Sequence, residues 1–205
     1  FTLARDIPRF VRNQDTQTWG RWPAKLLSEK TCGILGIGVI SEALAPKCKA
    51  LGMKTIGFTS KPRPVPGFDE VCGMSDFIKR VPEIDHLVLL TPYTPATHHM
   101  VNAEVFAAMK PTAYFINLAR GGVCDEQALL EALKAKQIAG AGLDVFQTDP
   151  LPPDHPLWHA PNTLITPRLG GLSDIYQEQF VPYLETNLGC YAADRWQEMV
   201  NVIRR

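Results

Sequence analysis

The sequence predicts an α/β protein built on a doubly wound parallel sheet. Short apolar runs alternate with amphipathic segments along the 205 residues. The runs are apolar throughout, as expected for parallel strands that helices cover on both faces. Turn residues separate each run from the next helical pattern. The predicted strands are Thr31–Leu35, Lys54–Phe58, His86–Leu90, Ala113–Asn117, Ala139–Val145 and Thr163–Ile165.

Apolar spacing predicts four helices between these strands. Asn102 and Asp125 each precede a helical run and are suited to accept hydrogen bonds from its free N–H groups. Pro46 lies inside the first helix, where it removes a backbone hydrogen bond and is expected to bend the helix. The predicted helices are Ile40–Leu51, Ser75–Val81, Ala103–Met109 and Asp125–Lys136.

Composition excludes several classes of function. Lys+Arg and Asp+Glu are both 21, so the chain lacks the basic surface of a nucleic-acid-binding protein. No apolar stretch approaches the about 20 residues of a membrane-spanning helix, so no membrane partner is expected. The five cysteines have no CxxC spacing and predict reduced thiols in a cytoplasmic protein. No metal site is expected either, since the histidines lack metal-ligand spacing.

The first strand ends in a glycine-rich turn, residues 33–41. Gly36 permits a tight turn, and Gly38 lets backbone N–H groups approach a phosphate. The positive end of the following helix then faces the negative charge. Ser41 replaces the third glycine of the dinucleotide fingerprint and adds only a small side chain. The turn predicts a dinucleotide site at Gly36, Gly38, Val39 and Ile40.

The end of the second strand indicates which dinucleotide binds. NAD sites place an acidic residue there, about twenty residues past the glycines, on the ribose 2′-hydroxyl. Residues 58–64 contain no carboxylate and offer hydroxyls and two cations suited to a 2′-phosphate. NADP is therefore favoured over NAD, and the alternative is a solvated basic turn that tolerates NAD. The residues predicted to contact the ribose or its phosphate are Thr59, Ser60, Lys61 and Arg63.

Four blocks in a fixed order carry a resemblance to a known family. They are GILGIGVIS (33–41), FINLARGGVCDEQALLEAL (115–133), IAGAGLDVFQTDPLP (138–152) and LITPRLGG (164–171). With them the chain resembles the nucleotide-binding domain of the D-isomer-specific 2-hydroxyacid dehydrogenases. Its closest likeness in style is to the glyoxylate/hydroxypyruvate reductases. The resemblance implies a Rossmann-type domain, hydride transfer between a nicotinamide cofactor and a small 2-hydroxy or 2-oxo acid, and a homodimer.

The resemblance also implies how the chain is divided. Residues 1–29 are expected to form an N-terminal helix and connector, and residues 30–172 the dinucleotide-binding domain. Residues 173–205 show a helical pattern interrupted by Pro182, then a short tail, 199–203, expected to dock elsewhere. Most of the substrate domain, to which this segment would return, is expected to be absent.

Three positions carry the catalytic expectations. Arg120 matches the arginine that binds the substrate carboxylate and carbonyl, and its planar fork suits a bidentate grip. Its alternative is a structural ion pair. Asp149 stands where the family has glutamate, and Arg168 occupies the position of the histidine acid/base. A guanidinium stays charged and is a poor proton donor, so the alternative function is a catalytically impaired, cofactor-binding or oligomerising protein.

The remaining cofactor expectations also come from matched positions. Asp144 matches the residue that hydrogen-bonds the nicotinamide carboxamide, and its alternative is a buried cap at the strand end. The loop that begins with Thr91 and Pro92 is expected to line the adenosine side. His98 and His99 are predicted to be surface residues. Further cofactor contacts are expected at Leu118, Ala119, Arg120 and Gly170.

Overall fold

The computed structural model describes residues 1–202 and contains one seven-stranded sheet. The strands are Thr31–Leu35 (β1), Lys54–Thr59 (β2), Glu70–Gly73 (β3), His86–Leu89 (β4), Tyr114–Asn117 (β5), Gly140–Leu143 (β6) and Thr163–Ile165 (β7). Their order across the sheet is β3-β2-β1-β4-β5-β6-β7, and each neighbouring pair is parallel. The first six follow the Rossmann order, which confirms the predicted doubly wound α/β fold.

The α-helices are Ile7–Asp15 (α1), Val39–Ala50 (α2), Phe77–Arg80 (α3), Ala103–Ala108 (α4), Glu126–Lys134 (α5) and Tyr176–Ala192 (α6). Both predicted N-caps are confirmed. Asn102 Oδ1 accepts from the backbone N–H of Glu104 at 3.1 Å, and Asp125 Oδ1 accepts from that of Gln127 at 3.0 Å. Each cap satisfies an N–H group that the first helical turn leaves without a backbone partner.

The sheet is covered on both faces because successive side chains of a strand point to opposite sides. On one face, Cys32, Ile34 and Val88 pack with Ala45 and Cys48 of α2. On the other, a larger cluster joins the alternate strand residues to α4 and α5. This second cluster includes Leu35, Leu87, Leu89, Phe106, Phe115 and Leu129.

Three elements differ from the predictions. Strand β3 was not predicted, because it has only four half-buried residues and lies at the sheet edge beside β2. The helix predicted at Ser75–Val81 is shorter in the structure, where α3 is a single turn. A 3₁₀ turn lies on each side of α3, and the second of these turns contains Pro82. The predicted interruption at Pro182 is wrong, because α6 continues through that residue.

The chain divides into two compact units, Phe1–Pro167 and Arg168–Arg205. The N-terminal segment belongs to the first: Ala4 is buried, and its carbonyl accepts from the Lys25 N–H at 3.0 Å. The expected domain limits at 29/30 and 172/173 stay predictions. Ile203 of the predicted tail lies outside the described residues. Among residues 1–202, no helix combines the length and the apolar character required to cross a bilayer.

Candidate cofactor and substrate site

The turn after β1 lies against the chain that leaves β4. Gly36 has a φ of +100°, which favours glycine. A Cβ added there would lie 2.7 Å from the backbone N of Thr91. Strands β1 and β4 are neighbours although β2 and β3 intervene in the sequence. This is the topological switch point, where open α/β sheets bind ligands.

The N-terminus of α2 presents an open surface beside this turn. A Cβ added at Gly38, the N-cap, would meet no atom within 4 Å. Buried Ser41 closes the helix start: its Oγ accepts from the Gly38 N–H at 2.7 Å and donates to the Gly38 carbonyl at 2.8 Å. The first-turn N–H groups next to the exposed residues Val39 and Ile40 have no helical partner. The open space at Gly38 and the positive N-terminal end of α2 together fit a diphosphate group.

A cleft of about 820 Å³ lies beyond the carboxyl ends of β4, β5 and β6. It brings together six residues that the sequence predicted for the site. They are Ile40, Thr91, Pro92, Leu118, Ala119 and Arg120. Its other lining residues are Leu90, Tyr93, His98, Gly121, Gly122, Phe146 and Gln147.

Arg120 stands on a short loop that buried Asn117 holds in place. The Asn117 Oδ1 accepts from the Ala119 N–H at 3.0 Å, and its Nδ2 donates to the Arg120 carbonyl at 3.2 Å. The exposed Arg120 side chain donates from Nη1 to the Ala119 carbonyl at 2.6 Å. One amide therefore fixes the backbone on both sides of the arginine.

Two glycines extend this constraint beyond Arg120. A Cβ at Gly121 would lie 1.9 Å from the backbone carbon of Phe146, so only hydrogen fits where the β5 and β6 loops meet. A Cβ at Gly122 would lie 2.6 Å from the ring of Tyr93. The loop that carries Arg120 is therefore packed directly against both neighbouring loops.

Asp144 follows β6 and is buried. Its backbone N–H donates to the Asn117 carbonyl at 3.1 Å, and its Oδ1 accepts from the Thr166 hydroxyl. It lines a smaller cavity of about 200 Å³ that shares Leu118 with the main cleft. Burial with a hydroxyl donor matches the requirement that a buried carboxylate be hydrogen-bonded.

The basic turn after β2 is at the surface. Thr59 ends the strand, and its Oγ1 accepts from the Lys61 N–H at 3.4 Å. Ser60, Lys61 and Arg63 are exposed. Arg63 donates from Nη2 to Glu42 of α2 at 2.8 Å. Of the predicted ribose-phosphate residues, Arg63 thus contacts the first turn of the helix that begins at the glycine turn.

Comparison with known proteins decides the family. Residues 1–170 match the family model described as "D-isomer specific 2-hydroxyacid dehydrogenase, NAD binding domain". The chain belongs to this family. The match confirms the resemblance carried by the four sequence blocks, and it assigns residues 1–170 to the NAD-binding domain of this family.

Proteins similar to this chain include reductases and dehydrogenases. Glyoxylate/hydroxypyruvate reductase A of Serratia proteamaculans is 36% identical over 78% of this chain and 51% of its own length. D-3-phosphoglycerate dehydrogenase of Synechocystis is 38% identical over 84% of the chain and 31% of its own. A dehydrogenase of Xanthobacter autotrophicus Py2, solved with NADPH and MES, is 32% identical with a TM-score of 0.86, covering 99% of this chain and 82% of that one. The chain spans about half the length of the curated relatives it matches first.

The remaining predicted residues lie where the chain departs from, or completes, the family pattern. Asp149 is exposed and belongs to the first unit. Arg168 and Gly170 belong to the second, and Arg168 has a φ of 57°, in the left-handed region. The catalytic expectations for Asp149 and Arg168 therefore stay predictions.

Sequence reasoning missed a hydrogen-bonded group on the cleft wall. Tyr93 Oη lies 3.1 Å from His98 Nδ1, and His99 Nε2 lies 3.1 Å from Gln147 Nε2. The Gln147 N–H donates to Glu126 Oε1 at 2.6 Å, and burial raises the pKa of the Glu126 carboxyl. These contacts tie the β4 loop to the β6 loop. No local pattern predicts the Gln147 contacts, because Gln147 is 48 residues from His99 and 21 residues from Glu126 in the sequence.

Proposed function

We propose that this chain forms the NADP-binding part of a reductase that acts on small 2-oxo acids of the glyoxylate or hydroxypyruvate class. A reduced nicotinamide supplies the hydride when it is bound. The observation that carries the proposal is the shared cleft: Arg120, Thr91 and Ile40 line one space next to the open glycine turn. A carboxylate-binding cation therefore stands next to a site that fits a diphosphate.

Arg120 is proposed to bind and orient the substrate. Its guanidinium is suited to hold a carboxylate with two hydrogen bonds and to polarise the carbonyl that accepts the hydride. Asn117 fixes the backbone beneath it, so only the Arg120 side chain has to be ordered when substrate binds. We expect Arg120→Gln to lower kcat/KM for glyoxylate by about 100-fold or more while leaving the unfolding midpoint unchanged. A fall of less than about threefold would contradict the role.

NADP is proposed as the cofactor. Lys61 and Arg63 supply positive charge where NAD sites have a carboxylate, and the Xanthobacter relative was solved with NADPH. The test is thermal unfolding of the chain with equal concentrations of NADPH and NADH. The melting temperature is expected to rise more with NADPH, because at equal concentration the ligand that binds the folded state more tightly stabilises it more. Equal shifts would refute the argument from the basic turn.

Arg168 is proposed to act through its charge and not as a proton donor. A guanidinium keeps its proton in proteins, so it is suited to stabilise the developing alkoxide while water supplies the proton. In the full-length protein, Arg168→His is expected to raise glyoxylate turnover by about tenfold or more, because a general acid contributes more than that. An unchanged or lower rate would show that a proton donor at position 168 does not increase turnover.

The substrate class is tested by a panel of 2-oxo acids, with NADPH oxidation as the readout. Glyoxylate and hydroxypyruvate are expected to react faster than the phosphorylated acid that a phosphoglycerate dehydrogenase would use. The comparisons give no support to the alternative of an impaired cofactor-binding protein, since the named relatives are reductases and dehydrogenases. Activity on the phosphorylated acid alone would overturn the proposed class.

A homodimer in the cytoplasm is the proposed setting. The N-terminal segment exposes apolar side chains of α1 and the following connector, including Phe10, Val11 and Trp19, of which Trp19 is 93% exposed. Trp22 stacks on Phe10 with ring centroids 4.4 Å apart. Such a patch is typical of a protein interface. A strictly monomeric sedimentation profile would contradict the dimer.

A further inference from the structure

We propose that Glu42 opposes NADPH binding by holding Arg63 in an ion pair, and so sets how strongly the chain prefers NADPH over NADH. This inference rests on the proposed cofactor function. Glu42 follows Ser41 in the first turn of α2 and was not among the predicted site residues. Its Oε1 accepts from Arg63 Nη2 at 2.8 Å, which occupies the cation most suited to a 2′-phosphate.

The backbone around Arg63 is anchored to the same face of α2. Gly67 has a φ of +91°, and a Cβ there would lie 2.7 Å from Pro46 Cγ. Pro46 is one helical turn after Glu42, so both residues face this loop. Val65, which lies between Arg63 and Gly67 in the loop, is buried. The loop is therefore held at Val65 and Gly67, and the part free to turn is the Arg63 side chain, which is 60% exposed.

The charge of Glu42 acts on the two cofactors differently. The Glu42 carboxylate lies in the first turn of α2, the helix end proposed to face the diphosphate. Its repulsion of the diphosphate is the same for NADH and NADPH, since both cofactors carry that group. Only the 2′-phosphate of NADPH has to compete with Glu42 for Arg63. Exposed ion pairs change an equilibrium by up to about fivefold. The ratio of the two dissociation constants removes the repulsion of the shared diphosphate. Comparison with the Arg63→Gln background then separates the competition for Arg63 from direct repulsion of the 2′-phosphate, which does not require Arg63.

The experiment measures dissociation constants of NADPH and NADH by titration calorimetry for the parent chain, Glu42→Gln, Arg63→Gln and the double variant. We expect Glu42→Gln to tighten NADPH binding about three- to fivefold more than NADH binding. In the Arg63→Gln background, the same substitution is expected to change the ratio by clearly less, and an equal change there would overturn the inference. Glu104→Gln is the matched control, because Glu104 is an exposed first-turn glutamate on α4. It should change neither constant.

The outcomes separate this inference from the proposed function. If the parent chain binds neither nucleotide, the cofactor proposal fails, and the inference fails with it. If NADPH binds and Glu42→Gln leaves the ratio unchanged, only the inference is overturned. Weaker NADPH binding by Glu42→Gln would also overturn it, since Glu42 would then position Arg63 for the phosphate. Thermal unfolding without nucleotide verifies that each variant is folded.

Discussion

The loops after β5 and after β2 are held in opposite ways. The β5 loop, residues 118–122, is fixed by the buried Asn117 amide and by glycines in direct contact with neighbouring backbone and ring atoms. The β2 loop is anchored farther along, at Val65 and Gly67, while Ser60, Lys61 and Arg63 extend into solvent. The proposed substrate contact is thus built into the packed part of the fold, whereas the proposed cofactor preference rests on exposed surface charges. Substitutions in the β5 loop should therefore change the stability of the fold, whereas substitutions at the exposed residues of the β2 loop should change only the affinity for the cofactor.

The largest effect is expected for Gly121→Ala. The added Cβ would lie 1.9 Å from the Phe146 carbonyl carbon, and backbone cannot yield as a flexible side chain does. We expect the free energy of unfolding to fall by about 3 kcal/mol or more in urea titration. Gly171→Ala is the control, because an added Cβ there meets no atom within 4 Å. A Gly121 variant as stable as its control would break the contrast between the two loops.

Asn117→Ala should have the next largest effect. It removes the acceptor of the Ala119 N–H and the donor to the Arg120 carbonyl inside the fold. Leaving such groups unpaired costs about 1–3 kcal/mol, measured by the same titration. The kcat/KM of the full-length protein should also fall, since Arg120 loses its fixed backbone. Asn117→Asp keeps the acceptor but sets a buried carboxylate oxygen against the Arg120 carbonyl, so it should lose at least as much stability as Asn117→Ala. A smaller loss would show that the acceptor alone holds the loop.

Gly38→Ala separates binding from stability. The Gly38 φ of −167° is extended backbone that any residue adopts, and a Cβ there meets no atom within 4 Å. We therefore expect the free energy of unfolding to stay within about 0.5 kcal/mol of the parent value. The methyl group, however, enters the surface proposed for the diphosphate, so NADPH affinity should fall by about tenfold or more. Unchanged NADPH affinity would place the diphosphate elsewhere.

The same contrast marks how far sequence reasoning extends. Strands, caps and the glycine turn are local patterns, and β1, β7 and both predicted caps are found as expected. The family was also predictable, because long blocks surround Arg120. Strand β3 was not, since four half-buried residues at a sheet edge lack a distinctive apolar run. The role of Gly121 and the His99–Gln147 contact, 48 residues apart, depend on tertiary packing that no local pattern encodes.

The smallest stability effect is expected for Arg63→Gln. The residue pairs with Glu42 at the surface, with side-chain exposures of 60% and 40%, and such pairs contribute little because water and salt screen them. The free energy of unfolding should therefore change by less than about 0.5 kcal/mol. In Arg63→Gln, however, the rise in melting temperature caused by NADPH should be nearly as small as the rise caused by NADH. The difference between the two rises should also depend less on salt concentration than in the parent chain. Lys61→Gln is the matched comparison, because Lys61 is an exposed cation of the same loop. If Arg63→Gln destabilised the chain as much as Asn117→Ala, the β2 loop would belong to the packed framework and the distinction between the two loops would fail.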